Sequence, residues 1–145
     1  AYEALSPGMQ QALGALRAVH SSRHVFGAAG AYKQTDRKDA FGNEELVGDV
    51  VHPVVITHPE SGRKALYVNP AFTVQLEGWT VEESRPLLEY LYRHAVRPEF
   101  TCRFRWAEGS VAFWDNRCTW HYALNDYHGQ HRLLHRITIG GVPLH

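Results

Sequence analysis

The sequence predicts a mainly β fold with flanking helices, an α+β protein whose short strands form an antiparallel sandwich or barrel. Three runs in its last third favour this class. In FTCRFRW (100–106) apolar and polar residues alternate with a period of two, which is typical of a strand. SVAFWD (110–115) follows after a turn, and RLLHRITIGG (132–141) closes the series.

Two helices are predicted outside the strands. Ser6 and Pro7 supply a cap and a first-turn proline, and the apolar residues that follow have helical spacing, so a helix is expected to end near His20. Thr80 and Glu83 have the spacing of a capping box before a second apolar stretch. Pro86 leaves the start of that second helix open.

A hairpin and a long loop complete the predicted domain, which spans residues 1–145. VVHPVVITH (50–58) and KALYVN (64–69) are β-rich runs that flank the turn PESGR. Residues 24–49 are rich in glycine and charge without a sustained period, which predicts a long loop or lid.

The composition excludes several classes of protein. Lys plus Arg equals Asp plus Glu at 15 each, so no basic field favours nucleic acid or an anionic membrane surface. Two cysteines are too few for a disulfide framework, and no apolar run approaches the roughly 20 residues of a membrane span. We therefore expect a cytoplasmic protein that recognises anions only locally.

Two arginines near the end of the chain are the first candidates for such recognition. On an extended strand Arg132 and Arg136 share one face, roughly 13 Å apart at ~3.3 Å per residue. That face is either a solvated outer surface or the lining of a barrel, where guanidinium groups would hold carboxylates, sulfonates or phosphates.

Histidines are dense in the same region and allow a zinc hypothesis. A closed site would draw its ligands from five side chains, but none of their spacings is typical of a zinc motif: His121, Asp126, His128, His131 and His135. His58 and Glu60 form a His-x-carboxylate pair, half of a facial iron triad. Because the pair lies at the hairpin turn, we interpret it as structural.

Three segments together, residues 52–73, 82–106 and 114–141, resemble the C-terminal part of the TauD/TfdA family of Fe(II)- and 2-oxoglutarate-dependent dioxygenases. The likeness runs from about Ala1 to Leu144. It implies a double-stranded β-helix, or jelly roll, of which this chain is the C-terminal portion. It also implies the cofactors Fe(II), 2-oxoglutarate and O2, and permits a homo-oligomer. The implied reaction hydroxylates an organic anion (sulfonate, sulfate ester or aryloxyalkanoate) and releases succinate and CO2.

The resemblance also assigns site residues. His121, in W-D-N-R-x-T-x-H, matches the distal iron ligand of the family. Arg132 matches the arginine that binds the far carboxylate of 2-oxoglutarate. Arg136 matches the arginine near the cosubstrate and the acidic group of the prime substrate, and Phe72, in VNPAFT, matches an aromatic residue of the substrate pocket.

One half of the implied iron site is missing from the sequence. Family members hold iron with an H-x-D/E pair upstream and the distal histidine, but this chain has no H-x-D. We expect either an N-terminal half outside this chain or a truncated gene product. The alternative is a noncatalytic fragment or pseudoenzyme, a β-sandwich that binds anions or a protein partner.

Overall fold

The computed structural model describes residues 1–23, 48–124 and 126–142. Its helices are α1 (Pro7–Gly14) and α2 (Val81–Ala95), with single 3-10 turns at Tyr2–Ala4 and Pro98–Phe100. Its strands are β1 (Arg17–Ser21), β2 (Asp49–Pro53), β3 (Val55–Thr57), β4 (Lys64–Leu66) and β5 (Thr73–Leu76). Neither described helix is long and apolar enough to cross a bilayer.

Two small antiparallel sheets carry the strands. The first has the order β2-β1-β5, with His20 of β1 opposite Val50 of β2 and a register irregularity after Val19 on the β5 side. The second is the hairpin β3-β4, in which Val55 pairs with Leu66. This confirms the hairpin about PESGR, but only residues 55–57 of the predicted run 50–58 take part in it, because residues 50–53 belong to β2 in the other sheet. Gly62 in the turn has φ of +68°, a conformation that glycine tolerates best.

The first predicted helix is wrong at its C-terminal end. Ser6 caps α1 by accepting a hydrogen bond from the Met9 N–H, as expected, but the helix ends at Gly14 and residues 17–21 form β1. Glycine weakens the last turn, and the β-branched Val19 suits a strand. Pairing on both sides with β2 and β5 then favours the extended conformation.

The second helix begins where the capping box predicts. Thr80 Oγ1 accepts from the Glu83 N–H while the Glu83 carboxylate accepts from the Thr80 N–H. Pro86 lies inside α2, where it removes the N–H that would bond to the Glu82 carbonyl. The helix continues through it because its inner face is buried on the core.

The core lies between α2, α1 and the sheets. Nine buried side chains form one cluster: Tyr2, Leu5, Leu13, Ala18, Val54, Val68, Leu76, Leu88 and Leu91. Ser84 joins α2 to β5 inside this core, because its Oγ accepts from the Leu76 N–H at 2.9 Å and donates to the Thr80 carbonyl at 2.8 Å. The sheet is thereby fixed against the helix.

The three strands predicted in the last third are not formed. Residues 101–124 and 126–142 contain no helix or strand, and apolar side chains stand out of them; Phe113 is 88% and Ile137 is 91% exposed. Alternating residues favour a buried face, but a strand also requires a hydrogen-bonded neighbour, and here both sheets are built from earlier residues. Arg132 and Arg136 therefore do not share the face of a strand.

The remaining expectations for the fold are met in part. The described chain is made of antiparallel sheets with flanking helices, as predicted, and these residues form no closed barrel. Of the loop predicted over residues 24–49, residues 24–47 lie outside the part of the chain that the structure describes. Asp49, its last residue, already belongs to β2.

Candidate functional site

The four residues assigned by resemblance lie in two different settings. Phe72 is half-buried beside the β2-β1-β5 sheet, and its carbonyl accepts from the Ser21 N–H at 2.8 Å. His121, Arg132 and Arg136 are exposed in the C-terminal coil. The His121 ring contacts Trp114, with centroids 5.0 Å apart, and the Arg132 guanidinium lies 5.3 Å from the centre of the Tyr127 ring.

A cluster of His58, Asp115 and Arg117, here called the clasp, ties this coil to the hairpin. His58 Nε2 lies 3.0 Å from Asp115 Oδ2. Arg117 reaches both carboxylate oxygens of Asp115, with Nε at 2.9 Å and 3.0 Å and Nη2 at 2.6 Å. These contacts with Arg117, together with the hydrogen bond from His58, hold the pKa of Asp115 well below its usual range. The W-D-N-R turn is therefore attached to the end of β3.

The hydrogen bonds of His58 settle its tautomer. The N–H groups of Glu60 and Ser61 both point to His58 Nδ1, at 3.3 Å each, so Nδ1 is an acceptor. In the neutral ring the hydrogen then lies on Nε2, which donates it to Asp115. Interpreting the histidine as structural agrees with this geometry, although the sequence gives no sign that Asp115 is its partner.

The clasp also brings together side chains of the types that bind metal ions. Within the described ranges, the one group of three ligating side chains whose donor atoms lie within 4.8 Å is His58, Asp115 and Cys118. These donors fit a cation poorly, because His58 Nε2 carries a hydrogen and Arg117 already neutralises Asp115. The arrangement is therefore an ion-paired clasp.

Neither metal site considered from the sequence is assembled by these residues. The side chains of the zinc hypothesis do not form a ligating group in the described part of the chain. His121 likewise belongs to no group of three ligating side chains among the described residues, so these residues do not form a complete iron site.

A pocket of about 260 Å³ lies over the β2-β1-β5 sheet. Seven of the residues that line it come from β1, β2 and the β4–β5 connection: His20, Ser21, Val50, His52, Tyr67, Asn69 and Phe72. Three of their rings meet pairwise, with centroids 5.5 Å apart for His20–His52, 5.6 Å for His20–Tyr67 and 5.4 Å for His52–Tyr67. The structure thus places Phe72 beside a cage of three rings.

The ring cage carries no charge at neutral pH. Burial, helped by neighbouring His52, lowers the pKa of His20 to about 4. Burial and then Arg17 lower the pKa of His52, and burial raises the pKa of Tyr67. Among the described residues that line the pocket there is no Asp, Glu, Lys or Arg. The described lining of the pocket is therefore polar but uncharged.

The clasp and the ring cage could not be predicted from the sequence, and the reason is the same for both. His20 and His52 lie 32 positions apart in the sequence, and His58 and Asp115 lie 57 positions apart, so only the fold brings them together. A signal existed for Asp115, which belongs to the W-D-N-R motif. For His20 and His52, alternation within a strand would have given a face but not a partner strand.

The family described as "Taurine catabolism dioxygenase TauD, TfdA family" matches residues 1–138, and the chain belongs to this family of dioxygenases. The family uses Fe(II), 2-oxoglutarate and O2.

Two curated relatives and one crystal structure show the extent of the likeness. The chain is 39% identical over 145 residues to the alkylsulfatase of Acinetobacter baylyi, and the match covers 97% of this chain and 45% of the relative. It is 36% identical to the alpha-ketoglutarate-dependent sulfate ester dioxygenase of Pseudomonas putida, covering 99% of this chain and 48% of that protein.

A taurine dioxygenase from Burkholderia xenovorans is 42% identical, with a TM-score of 0.62 over 81% of this chain and 34% of that structure. The chain therefore spans less than half the length of each of these three proteins.

Proposed function

We propose that this chain supplies the C-terminal part of the active site of an Fe(II)- and 2-oxoglutarate-dependent dioxygenase that acts on a small organic anion, a sulfonate, sulfate ester or aryloxyalkanoate. The observation that carries the proposal is the family match, which spans residues 1–138 and so includes His121, Arg132 and Arg136. When bound, iron and 2-oxoglutarate supply the oxygen chemistry, and the residues of this chain position the reactants.

Each assigned residue has a separate role in this proposal. Arg132 binds the far carboxylate of 2-oxoglutarate with its planar guanidinium, which suits two parallel hydrogen bonds. Arg136 faces the cosubstrate and the acidic group of the substrate, and His121 contributes one imidazole to the metal. Phe72 lines the pocket for the organic part of the substrate, which its position beside the ring cage supports.

The rest of the family domain completes the fold in this proposal. Apolar side chains at alternate positions stand exposed in the coil, with Val111 at 86% and Ile139 at 75%. Strands 100–106, 110–115 and 132–141 would form against neighbouring strands of a jelly roll, which would bury these side chains and satisfy the backbone. The coverage of less than half of each relative supports this view.

In this proposal the clasp holds one part of the coil in place before the rest of the family domain adds its strands. It holds Asp115 and Arg117 at the start of the segment that leads to His121. Because His58 lies at the end of β3, the clasp fixes this segment relative to the folded hairpin. His58, Asp115 and Arg117 are thus positioning residues in the proposal.

A chimera tests the proposed function. This chain would replace the matched region of the Acinetobacter baylyi alkylsulfatase, and sulfate release from an alkyl sulfate and from an arylalkyl sulfate such as benzyl sulfate would be measured with and without 2-oxoglutarate. We expect release that requires 2-oxoglutarate, and a Glu99→Gln chimera, changed in an exposed ion pair, serves as the matched control. A folded chimera that binds 2-oxoglutarate but hydroxylates neither substrate would contradict the proposal.

One observation favours a second candidate, a noncatalytic module that binds anions. In the described part of the chain, no group of three ligating side chains includes His121. In that case the 145-residue chain would bind sulfate or a carboxylate through Arg132 without needing iron. Binding that is unchanged in the Arg132→Ala variant would exclude this candidate.

A further inference from the structure

We propose that the ring cage of His20, His52 and Tyr67 binds the uncharged organic part of the substrate, and that this part is an aromatic ring. The inference rests on the proposed function for the substrate being an organic anion. The cage itself belongs to the folded core, where β1, β2 and the β4–β5 connection meet.

The size of the pocket suits a substituted ring. Its volume is about 260 Å³, whereas an apolar protein cavity of about 150 Å³ is enough to hold benzene. Val50, which is 52% exposed, lies at the rim opposite His20 in the β1–β2 register. A ring with a short substituent can therefore enter past Val50.

The walls offer the contacts that a ring prefers. The three centroid distances fall within the 4.5–7 Å range of favourable aromatic pairs. His52 and Tyr67 meet edge to face at 87°, and His20 and His52 at 65°. A fourth ring can extend the same edge-to-face pattern, which an alkyl chain cannot.

One nitrogen in the cage lacks a partner. His20 is buried, with 7% of its surface exposed, and its Nε2 has no hydrogen-bond partner in the described part of the chain. Its Nδ1 lies 3.3 Å from Thr73 Oγ1, which already accepts from the Asn69 N–H at 2.9 Å. The Thr73 hydroxyl can donate to Nδ1 or accept from it, so the unpartnered Nε2 presents either an N–H or a lone pair to the cage.

Nε2 distinguishes a ring from an alkyl chain in either form. A buried polar group without a partner is costly, whereas the π face of an aromatic ring can accept a weak hydrogen bond from an N–H and the positive edge of the ring can face a lone pair. An alkyl group offers neither contact. The ring that enters the cage therefore contacts a nitrogen that the described residues leave unpaired.

The absence of charge sets the orientation of the substrate. None of the described lining residues is Asp, Glu, Lys or Arg, so an anionic group in the cage would meet no cation among them and would be costly to bury. The anionic end therefore stays outside, and the cage selects the organic end.

Two uncharged probes of similar shape test the inference on the 145-residue chain. Anisole has an ether oxygen and a ring, and cyclohexyl methyl ether has the same oxygen without π electrons. Each would be titrated while the backbone amides of β1 and β2 are followed by NMR. We expect saturable binding, with anisole about two- to twelvefold tighter. Equal affinities would overturn the assignment of a ring, and binding of neither probe would overturn the site.

Two matched variants locate the binding. Val50→Trp blocks the rim and is expected to weaken anisole binding at least about tenfold, whereas Val96→Trp, at an exposed valine at the end of α2, should leave it unchanged. Equal binding by both variants would overturn the site.

The failure of this inference can be told apart from the failure of the proposed function. If the chain does not bind anisole while the chimera still binds 2-oxoglutarate through Arg132, the inference falls and the proposed function stands. If the chain binds anisole but the chimera shows no Arg132-dependent binding of 2-oxoglutarate, the ring site stands and the proposed function falls.

Discussion

His58 Nε2 donates to Asp115 Oδ2 over 3.0 Å and so joins the hairpin to a coil that has no regular structure of its own. The two side chains are 15% and 29% exposed, so this link between the clasp and the hairpin is partly shielded from water. Arg117 lies two residues beyond Asp115 and cannot anchor the coil to the hairpin by itself.

The clasp predicts a loss of stability on removal of His58. His58→Ala takes away a hydrogen bond to a carboxylate, which is worth about 1.5 to 3 kcal/mol, so the free energy of unfolding should fall by about that amount in urea titrations. Glu99→Gln, which removes an exposed pair with Arg97, should change the free energy of unfolding far less, because water screens an exposed ion pair. If the two variants are equally stable, the clasp does not stabilise the fold.

His20 predicts a loss of stability in weak acid. Its pKa is about 4 in the folded chain against about 6.5 when unfolded, so the unfolded state binds the proton more readily. Stability is therefore full above about pH 6.5, falls as the pH decreases toward about 4, and changes no further from this group below that value. We expect a fall of about 2 to 3 kcal/mol across this window.

The matched variant for this pH dependence is His20→Phe, which keeps a ring in the cage but cannot be protonated. Its free energy of unfolding should be flatter between pH 6.5 and 4 than that of the parent chain. Parallel curves for the two proteins would show that the pKa of His20 does not differ between the folded and unfolded states.

Ser84 is expected to contribute more to the stability of the fold than its small side chain suggests. Ser84→Ala leaves the buried Leu76 N–H without its acceptor, which should cost about 1 to 3 kcal/mol and lower the melting temperature. Ser61→Ala, at an exposed serine in the hairpin turn, is the control and should stay within about 0.5 kcal/mol. An unchanged melting temperature for Ser84→Ala would show that water or another group replaces the hydroxyl.

Substitutions of Arg132 and Arg136 should have different effects on the kinetics of the chimera. Arg132→Ala removes hydrogen bonds to a carboxylate, so the concentration of 2-oxoglutarate needed for half-maximal rate should rise by about one to two orders of magnitude. The requirement for the sulfate ester should change far less. Equal effects on both requirements would contradict the role proposed for Arg132, and Arg136→Ala is the comparison because it should affect the substrate as well.

The local features of the fold could be predicted from the sequence, and the non-local ones could not. The PESGR turn and the Thr80–Glu83 capping box depend on residues a few positions apart, and the structure confirms both. The runs at 100–106 and 132–141 show the pattern of strands, but strands need neighbours, which a pattern within one run does not reveal. The predicted first helix extends too far because Leu16 and Val19 fit a helical period as well as a strand.

The same limit applies to the candidate site. The roles proposed for His121, Arg132 and Arg136 rest on their spacing in a family motif, and that spacing does not depend on the described conformation. The clasp and the ring cage are beyond such reasoning, since each requires knowing which strand lies beside which. The turn around His58 is enough to interpret that histidine as structural, whereas its partner Asp115 comes from a distant part of the chain.

The most direct test of the central claim is an anaerobic titration of the chimera with Fe(II) in the presence of 2-oxoglutarate, followed by visible absorption. The account predicts a charge-transfer band that saturates at about one equivalent and is lost when His121→Ala is introduced, while a His128→Ala control retains it. A band of the same strength and affinity in the His121→Ala chimera would contradict the assignment of His121 as the iron ligand that this chain contributes.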